Sequence, residues 1–467
     1  MIREWIAEGA ARRGAAPYLE DAQGAGSLTY AELRRSVRVW ERRLDEAGVP
    51  PGAGVAVCLA DPVGYAAALT GILAAGRVAV PLDSAAPAAE HARVLSVARP
   101  AVIADDSPHG LRPAAWPAAW PAAWPAPSGG IFLCTSGTTG TPKGILLRED
   151  QLTHVATQVA AQHRLTPADR GYCCLPLFHV NAEVVGLLAT LSTGACLVLD
   201  RKFSRGKFWD LIDERGITWI NAVPAIITVL ALDPPAARPP AGVRFVRSAS
   251  APLAPSTLRR FEEAFGIAVI ETYGMTEAAS MITANPLDGP RKPGSAGRPA
   301  GTEVQVTGPA GPGQARDVGR VRIRGAGVIT EYASGGRPGV IDADGWLDTG
   351  DVGYLDEDGY LFLVGRSDDV INRGGEKIYP REVEDFLLAQ PGVQAAAVVA
   401  APDEVLGERP VAYIVPSRTA GHELTDALDA ACLAALPRHK RPTAIFLLDA
   451  LPLGPTGKIA RRQLLSR

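Results

Sequence analysis

Ile131-Phe132-Leu133-Cys134-Thr135-Ser136-Gly137-Thr138-Thr139-Gly140-Thr141-Pro142-Lys143-Gly144-Ile145-Leu146-Leu147 is the stretch on which the fold turns. Two short apolar runs, Ile131–Cys134 and Ile145–Leu147, have the length of buried strands. Between them lie glycines, hydroxyl side chains and one lysine. Glycines let a backbone approach a ligand and turn its N–H groups inward, while hydroxyls add donors and a lysine adds charge. Thr135, Ser136, Gly137, Thr138, Thr139, Gly140, Thr141 and Lys143 are therefore the candidate cradle for a polyphosphate. A merely flexible turn has no need of so many donors beside a cation. The loop is not a Walker A motif, because Pro142 stands before the lysine where that motif has glycine, and Gly144 follows it in place of Ser or Thr.

Upstream, Thr29 and Glu32 form a capping-box pair, Leu33, Val37, Trp40 and Leu44 share one helical face, and Gly48 ends the helix. Val55–Ala60 reads as a strand. Asp61-Pro62 opens a second helix, Asp at the N-cap and Pro at the first turn, stopping near Gly76. Val78–Leu82 and Ala101–Ala104 are further strands, and Val243–Val246, Pro255–Phe265 and Ile267–Ile270 repeat the strand–helix–strand order. This alternation predicts an α/β fold with largely parallel, helix-covered sheets. Residues 300–365 lose helical periodicity and read as short strands with glycine turns, a β-rich subdomain. After Arg366 the pattern restarts with a helix at Pro380–Leu388, strands at Ala395–Ala400 and Val411–Val415, a helix at Leu424–Leu436 and a strand near Ala444–Leu448. The predicted division is a large N-terminal domain, 1–366, and a small α+β domain, 367–467. Ala114–Pro125 repeats Ala-Ala-Trp-Pro, whose prolines forbid a regular helix or a central strand, and reads as a surface linker.

A chain of 467 residues suggests two to four folding units. Its net charge of −3 supplies no field that would draw it to nucleic acid. No apolar run reaches the roughly 18 residues of a membrane span. The six cysteines (Cys58, Cys134, Cys173, Cys174, Cys196 and Cys432) form no Cys-x-x-Cys pair and follow no secretory signal, so they read as buried thiols of a cytoplasmic protein. Oligomeric state stays open.

Six further motifs follow the loop: Leu175-Pro176-Leu177-Phe178-His179-Val180-Asn181, Ser248-Ala249-Ser250-Ala251-Pro252, Glu271-Thr272-Tyr273-Gly274-Met275-Thr276-Glu277, Trp346-Leu347-Asp348-Thr349-Gly350-Asp351, Asn372-Arg373-Gly374-Gly375-Glu376-Lys377-Ile378-Tyr379-Pro380 and Leu453-Gly454-Pro455-Thr456-Gly457-Lys458-Ile459. In this order they resemble the adenylate-forming superfamily of acyl-CoA synthetases, aryl-CoA ligases, luciferases and peptide-synthetase adenylation domains. The resemblance spans nearly the whole chain. It implies activation of a carboxylic acid by ATP as acyl-AMP, with pyrophosphate release, then transfer to a thiol. The form of the Arg373–Tyr379 loop favours coenzyme A as acceptor. A carrier-protein thiol or an amine is the alternative, and a non-catalytic nucleotide-binding relative a remote one, since Thr138, Glu277, Asp351, Arg366 and Lys458 are all present.

The resemblance also implies roles. Ser250, Ala251, Glu271, Thr272, Tyr273 and Gly274 would surround the adenine, with Tyr273 stacked on the base. Thr276 would meet the α-phosphate and Glu277 would hold Mg²⁺, as a hard cation bridging phosphates wants a carboxylate. Asp351 would accept from the ribose hydroxyls beside Arg366. Thr138, His179, Glu277 and Lys458 are the catalytic candidates, Lys458 for adenylation alone. The small domain would be mobile, hinged at Asp368, and Gly374, Gly375, Glu376 and Lys377 would line a thiol channel. His179, Val180, Asn181, Val184, Val223, Ser248, Gly274 and Met281 are the candidate acid pocket. It reads as apolar and modest in size with few fixed charges, suiting an aryl or medium-sized acid better than a dicarboxylate. With no obvious aspartate there to hold an ammonium, an α-amino acid is disfavoured.

Overall fold

The structure, a computed structural model, describes residues 1–107, 110–114, 129–135, 143–232, 239–308, 311–417, 420, 423–452 and 459–465. Local signals set its first helices. Helix Tyr30–Glu46 starts at a complete capping box, in which the Thr29 hydroxyl accepts from the Glu32 N–H and the Glu32 carboxylate accepts from the Thr29 N–H. Its buried face is Leu33, Val37, Trp40 and Leu44. Helix Pro62–Ala74 starts where the Asp61 carboxylate accepts from the Gly64 N–H. It is apolar all round and almost wholly buried, as expected of a helix enclosed between layers.

The α/β part forms two sheets. The first has nine strands in the order Arg298–Pro299, Ser280–Ala284, Ala268–Met275, Phe245–Ser248, Trp219–Ala222, Arg170–Cys173, Cys196–Leu199, Pro17–Asp21 and Ser27–Thr29. It is parallel from Ala268–Met275 to Pro17–Asp21 and antiparallel at both edges. The second has six strands in the order Leu111–Pro113, Val102–Asp105, Gly54–Cys58, Val78–Pro81, Gly130–Thr135 and Lys143–Arg148. The two strands that flank the candidate phosphate loop pair antiparallel, with Thr135 opposite Lys143. One apolar core, including Val57, Leu69, Leu147, Leu188 and Ile270, joins both sheets. The helix-covered sheets expected from the alternation are present, divided in two.

Residues 303–366 form the β-rich part, a five-stranded antiparallel sheet that contains Glu303–Gly308, Gly319–Arg324, Leu347–Leu355 and Leu361–Arg366. After a single 3₁₀ turn at Ser367–Asp369, strands Val393–Asp403 and Gly407–Pro416 pair antiparallel, with Ile445–Leu447 alongside the latter. Helices Pro380–Leu388 and Leu424–Ala435 cover this sheet, over a separate core of Ile371, Val383, Leu387, Val398, Ile414 and Leu428.

Two regions depart from the reading of the sequence or lie beyond it. Helix Ile2–Arg13 and strand Pro17–Asp21 carry no pattern that singles them out, yet the strand enters the first sheet beside Cys196–Leu199. Most of the Ala-Ala-Trp-Pro segment, 115–128, lies outside the described residues. Among the described residues, no helix is long and apolar enough to cross a membrane, and all six cysteines are free.

Candidate active site

Strand Ala268–Met275 carries the centre of the site. At Gly274 it meets Ser280–Ala284 so closely that an added Cβ would lie 1.4 Å from the Ser280 carbonyl oxygen, so only glycine fits. One residue earlier the half-buried Tyr273 donates its hydroxyl to Asp351 Oδ2 at 2.5 Å, and Arg366 Nη1 donates to Asp351 Oδ1 at 3.1 Å. Asp351 is presented by a tight turn: its N–H donates to the Thr349 hydroxyl at 3.0 Å, and Gly350 has φ +74°, with a Cβ there meeting Arg366 Nη2 at 2.7 Å. Desolvation of the hydroxyl and then the Asp351 carboxylate hold the Tyr273 phenol well above its ordinary range, so it is a neutral donor. Three residues expected at the nucleotide, from separate motifs, thus form one hydrogen-bonded unit.

Thr276 and Glu277 follow on a 3₁₀ turn, Thr276–Ala278. Tyr332, which the motifs did not single out, donates to Glu277 Oε1 at 3.0 Å, and Lys143 Nζ lies 5.2 Å from the centre of the Tyr332 ring. The same segment braces the end of the candidate phosphate loop, because the Gly144 N–H donates to the Ser334 carbonyl at 3.0 Å. One tyrosine thus meets Lys143 with its ring and Glu277 with its hydroxyl. Ser136, Gly137, Thr138, Thr139, Gly140 and Thr141 lie outside the described residues, as does Lys458. Among the described residues no group of three or more His, Cys, Asp and Glu could hold a metal unaided. One buried carboxylate, with phosphate oxygens and water completing the shell, is how Mg²⁺ is commonly held, and Glu277 fits that donor set.

The candidate acid end lies at a π-helix, Asn181–Leu188, a form frequent at functional sites. Val180 and His179 precede it, half-buried, with the His179 ring 4.6 Å from Phe178. Val184 and Met281 are fully buried, Val223 is half-buried, and the Ser248 hydroxyl is buried without a partner. Asn181 Nδ2 donates to the Ser250 hydroxyl at 3.2 Å, and the Thr272 hydroxyl donates to the Ser248 carbonyl at 3.1 Å. These bonds tie the acid end to the turn Ser250-Ala251, where Ser250 takes φ +74°.

Behind these candidate residues lies a charged group that the reading of the sequence did not count. Arg247, only 1% exposed, lies in a row across the sheet with Asn221 and Cys173. Its Nη1 donates to Asn181 Oδ1 at 2.9 Å and to Asn221 Oδ1 at 3.1 Å, while its Nε is buried with no partner. Burial lowers its pKa to about 9, so it stays cationic at neutral pH. Glu183, on the π-helix, is also fully buried, and burial alone raises its carboxyl well above the ordinary range. His163, packed on Trp219 and Phe245, is pushed down to about 3 by burial and then by Arg247. The apolar neighbours on the strand concealed a cation that the fold turns inward.

Two other expected groups lie apart from this unit. Glu271 does not join the Tyr273 unit: its Oε2 accepts from the Gly294 N–H at 3.2 Å, and Arg381 and Asp385 of helix Pro380–Leu388 face it. Burial raises its carboxyl to about 8 against the opposing pull of Arg381, which also donates to the Leu363 carbonyl at 3.0 Å. The turn at Gly374 and Gly375, both with positive φ, joins Ile371–Arg373 to Glu376–Ile378. Among the described residues its partners belong to the C-terminal segment: the Gly374 N–H donates to the Leu406 carbonyl, the Gly375 N–H donates to Asn372 Oδ1, and Glu376 lies 3.2 Å from His439. Lys377 is exposed, and Asp368 lies in the 3₁₀ turn beside Ser367, whose hydroxyl donates to the Gly350 carbonyl.

Comparison with known proteins agrees with this arrangement. The family model described as AMP-binding enzyme matches residues 6–333, and that of the AMP-binding enzyme C-terminal domain matches 382–458. The chain is 39% identical to the sulfoacetate–CoA ligase of Cupriavidus necator, over 96% of this chain and 94% of the relative. It is 35% identical to the oxalate–CoA ligase of Arabidopsis thaliana, over 94% and 93%. The o-succinylbenzoate CoA synthetase of Bacillus subtilis shares the fold at 28% identity in two complexes. With ATP and magnesium ion the TM-score is 0.84, with 99% of each chain covered. With its acyl-adenylate intermediate the TM-score is 0.85, over 98% of this chain and 97% of that one. The chain therefore belongs to the AMP-binding enzyme family and is an AMP-forming acid–CoA ligase that uses ATP and Mg²⁺.

Proposed function

We propose that the acid this ligase activates is a short organic acid, and that the residues described above divide the work as follows. The observation that carries the assignment is the unit of Tyr273, Asp351 and Arg366, held together a few residues from Glu277. Asp351 accepts from the ribose hydroxyls, Tyr273 offers its ring to the adenine, and Arg366 keeps the carboxylate aimed. Thr276, Lys143 and the hydroxyl-rich loop 135–141 hold the phosphates. Glu277 would hold Mg²⁺, which would supply charge neutralisation there. The acid's carboxylate attacks the α-phosphorus in line, the bond to the β-phosphate oxygen breaks, and pyrophosphate leaves. Lys458 provides a mobile cation beside the reacting oxygens in that step only.

In the second step the coenzyme A thiol, as thiolate, attacks the acyl carbonyl and AMP departs. We assign residues 367–467 to a domain that pivots at Asp368 and brings the Gly374-Gly375 turn to the acyl-AMP, with His179 at the junction of the two states. Two relatives matched over nearly the full length of both chains are named for sulfoacetate and oxalate, both short, and this favours a short acid over the aryl or medium-sized acid that the apolar residues alone suggested.

Acid-dependent exchange of labelled pyrophosphate into ATP, followed by thioester detection with coenzyme A, tests this. Exchange is expected with short acids, and thioester is expected from each of them. No exchange across aryl, alkyl and short acids would refute the ligase, whereas exchange confined to aryl acids would refute the acid class alone. Lys458→Ala should slow exchange by about 100-fold or more while leaving thioester formation from supplied acyl-AMP largely intact. Equal loss of both steps would remove its assignment to adenylation.

A further inference from the structure

A fully buried guanidinium costs several kcal/mol of desolvation unless an anion or a full set of acceptors answers it. Arg247 has neither. Its contacts are the neutral carbonyl oxygens of Asn181 and Asn221, its Nε has no partner, and no ion pair reaches it among the described residues. His163, on which its charge bears, is a neutral ring and supplies no counter-charge. The Cys173 thiol, the other group that bears on Arg247, is pushed up to about 11 by burial and is not an anion at neutral pH.

Position gives this unanswered charge a use. Asn181 holds the guanidinium through its carbonyl oxygen and Ser250 through its amide nitrogen, so one side chain links Arg247 to the turn beside the adenylate site. Asn221 also donates to Asn181 Oδ1 at 3.3 Å, which fixes that amide between the two partners. A buried cation held by neutral amides, with its Nε unfilled, is suited to meeting a small anion.

We propose that Arg247 receives a second anionic group of the acid, a carboxylate or sulfonate remote from the carboxylate being activated, so that the enzyme selects short dianionic acids. The inference rests on the ligase reading above and adds the charge class of the substrate and the residue that reads it. Asn181 and Asn221 are positioning residues in this scheme. The anion completes the Nε contact and offsets the burial of the guanidinium, and an acid with a neutral tail leaves both costs in place.

Matched pairs of acids test the charge directly: malonate against monomethyl malonate, and sulfoacetate against methylsulfonylacetate, each read as kcat/KM in pyrophosphate exchange. The wild-type enzyme is expected to favour the dianion by about 100-fold or more in at least one pair. Arg247→Met should collapse that ratio to within about 3-fold, by losing the dianion and gaining the neutral-tailed acid. Equal exchange within both pairs in the wild type, or a ratio that survives in Arg247→Met, overturns the proposal. Should Arg247→Met not fold, the wild-type pairs still decide. Exchange with benzoate or hexanoate but with neither dianion overturns it while the ligase activity stands. No exchange with any acid brings down both.

Discussion

The proposed ribose end and the proposed acid end of the site handle charge in opposite ways. Around Asp351 the protein answers its own charge, with Tyr273 and Arg366 on the two carboxylate oxygens. Around Arg247 it supplies only neutral amides and leaves a donor unfilled. The difference follows from what each end must recognise. Ribose hydroxyls are neutral, so a balanced carboxylate can be preorganised without waiting for a counter-charge. An acid that brings its own second charge is best met by a cation that nothing else satisfies. A balanced charge positions a ligand common to every turnover, and an unbalanced one discriminates between ligands.

The comparison breaks most clearly at Asp351. Asp351→Ala is expected to raise the KM for ATP by about 10- to 100-fold with every acid, and to leave the ranking of acids unmoved. A changed ranking would mean that the two ends are not separate. Tyr273→Phe removes one neutral donor and keeps the ring, so steady-state kinetics should show the KM for ATP rising about 2- to 10-fold. An effect as large as that of Asp351→Ala would show that the tyrosine, not the arginine, holds the carboxylate in place.

Glu271 sharpens the contrast from a third side, since it meets burial by keeping its proton. Its carboxyl titrates near 8 in the fold against an ordinary value of 4.5, so between those values the folded protein holds a proton that the unfolded chain releases. Stability contributed by the neutral form is complete below about 4.5 and is lost as pH rises through about 8. Glu271→Gln should therefore gain on the wild type as pH rises from 5 to 8.5, by about 2 to 4 °C in Tm. Parallel melting curves over that range would show that Glu271 is ionised in the fold.

Much of this was legible along the chain where the signal is local. The capping box at Thr29 and Glu32, the Asp61-Pro62 start and the glycine turns of 300–365 each depend on a few adjacent residues, and the elements formed where they pointed. Arg247 was in plain view, yet nothing in the sequence says whether an arginine at a strand end faces water or the core. Its burial depends on Asn221, 26 positions away, and Asn181, 66 positions away. Tyr332 is 55 positions from Glu277 and belongs to no periodic element, so no local signal marks it. The direction taken by Glu271 could not be read either, because it is set by Gly294 and by a helix more than a hundred residues on.

The strand Pro17–Asp21 has a consequence for how the protein is made. Its parallel partner is Cys196–Leu199, with Leu19 opposite Leu197, and only Ser27–Thr29 is near in sequence on its other side. A ribosome adding about 5 to 20 residues per second would need roughly 10 to 35 s to bring the partner out after the strand itself. For that time the early strand has a hairpin neighbour and a bare edge. The first large sheet cannot close in the order in which it is synthesised, and a region translated early is among the last to be locked in place.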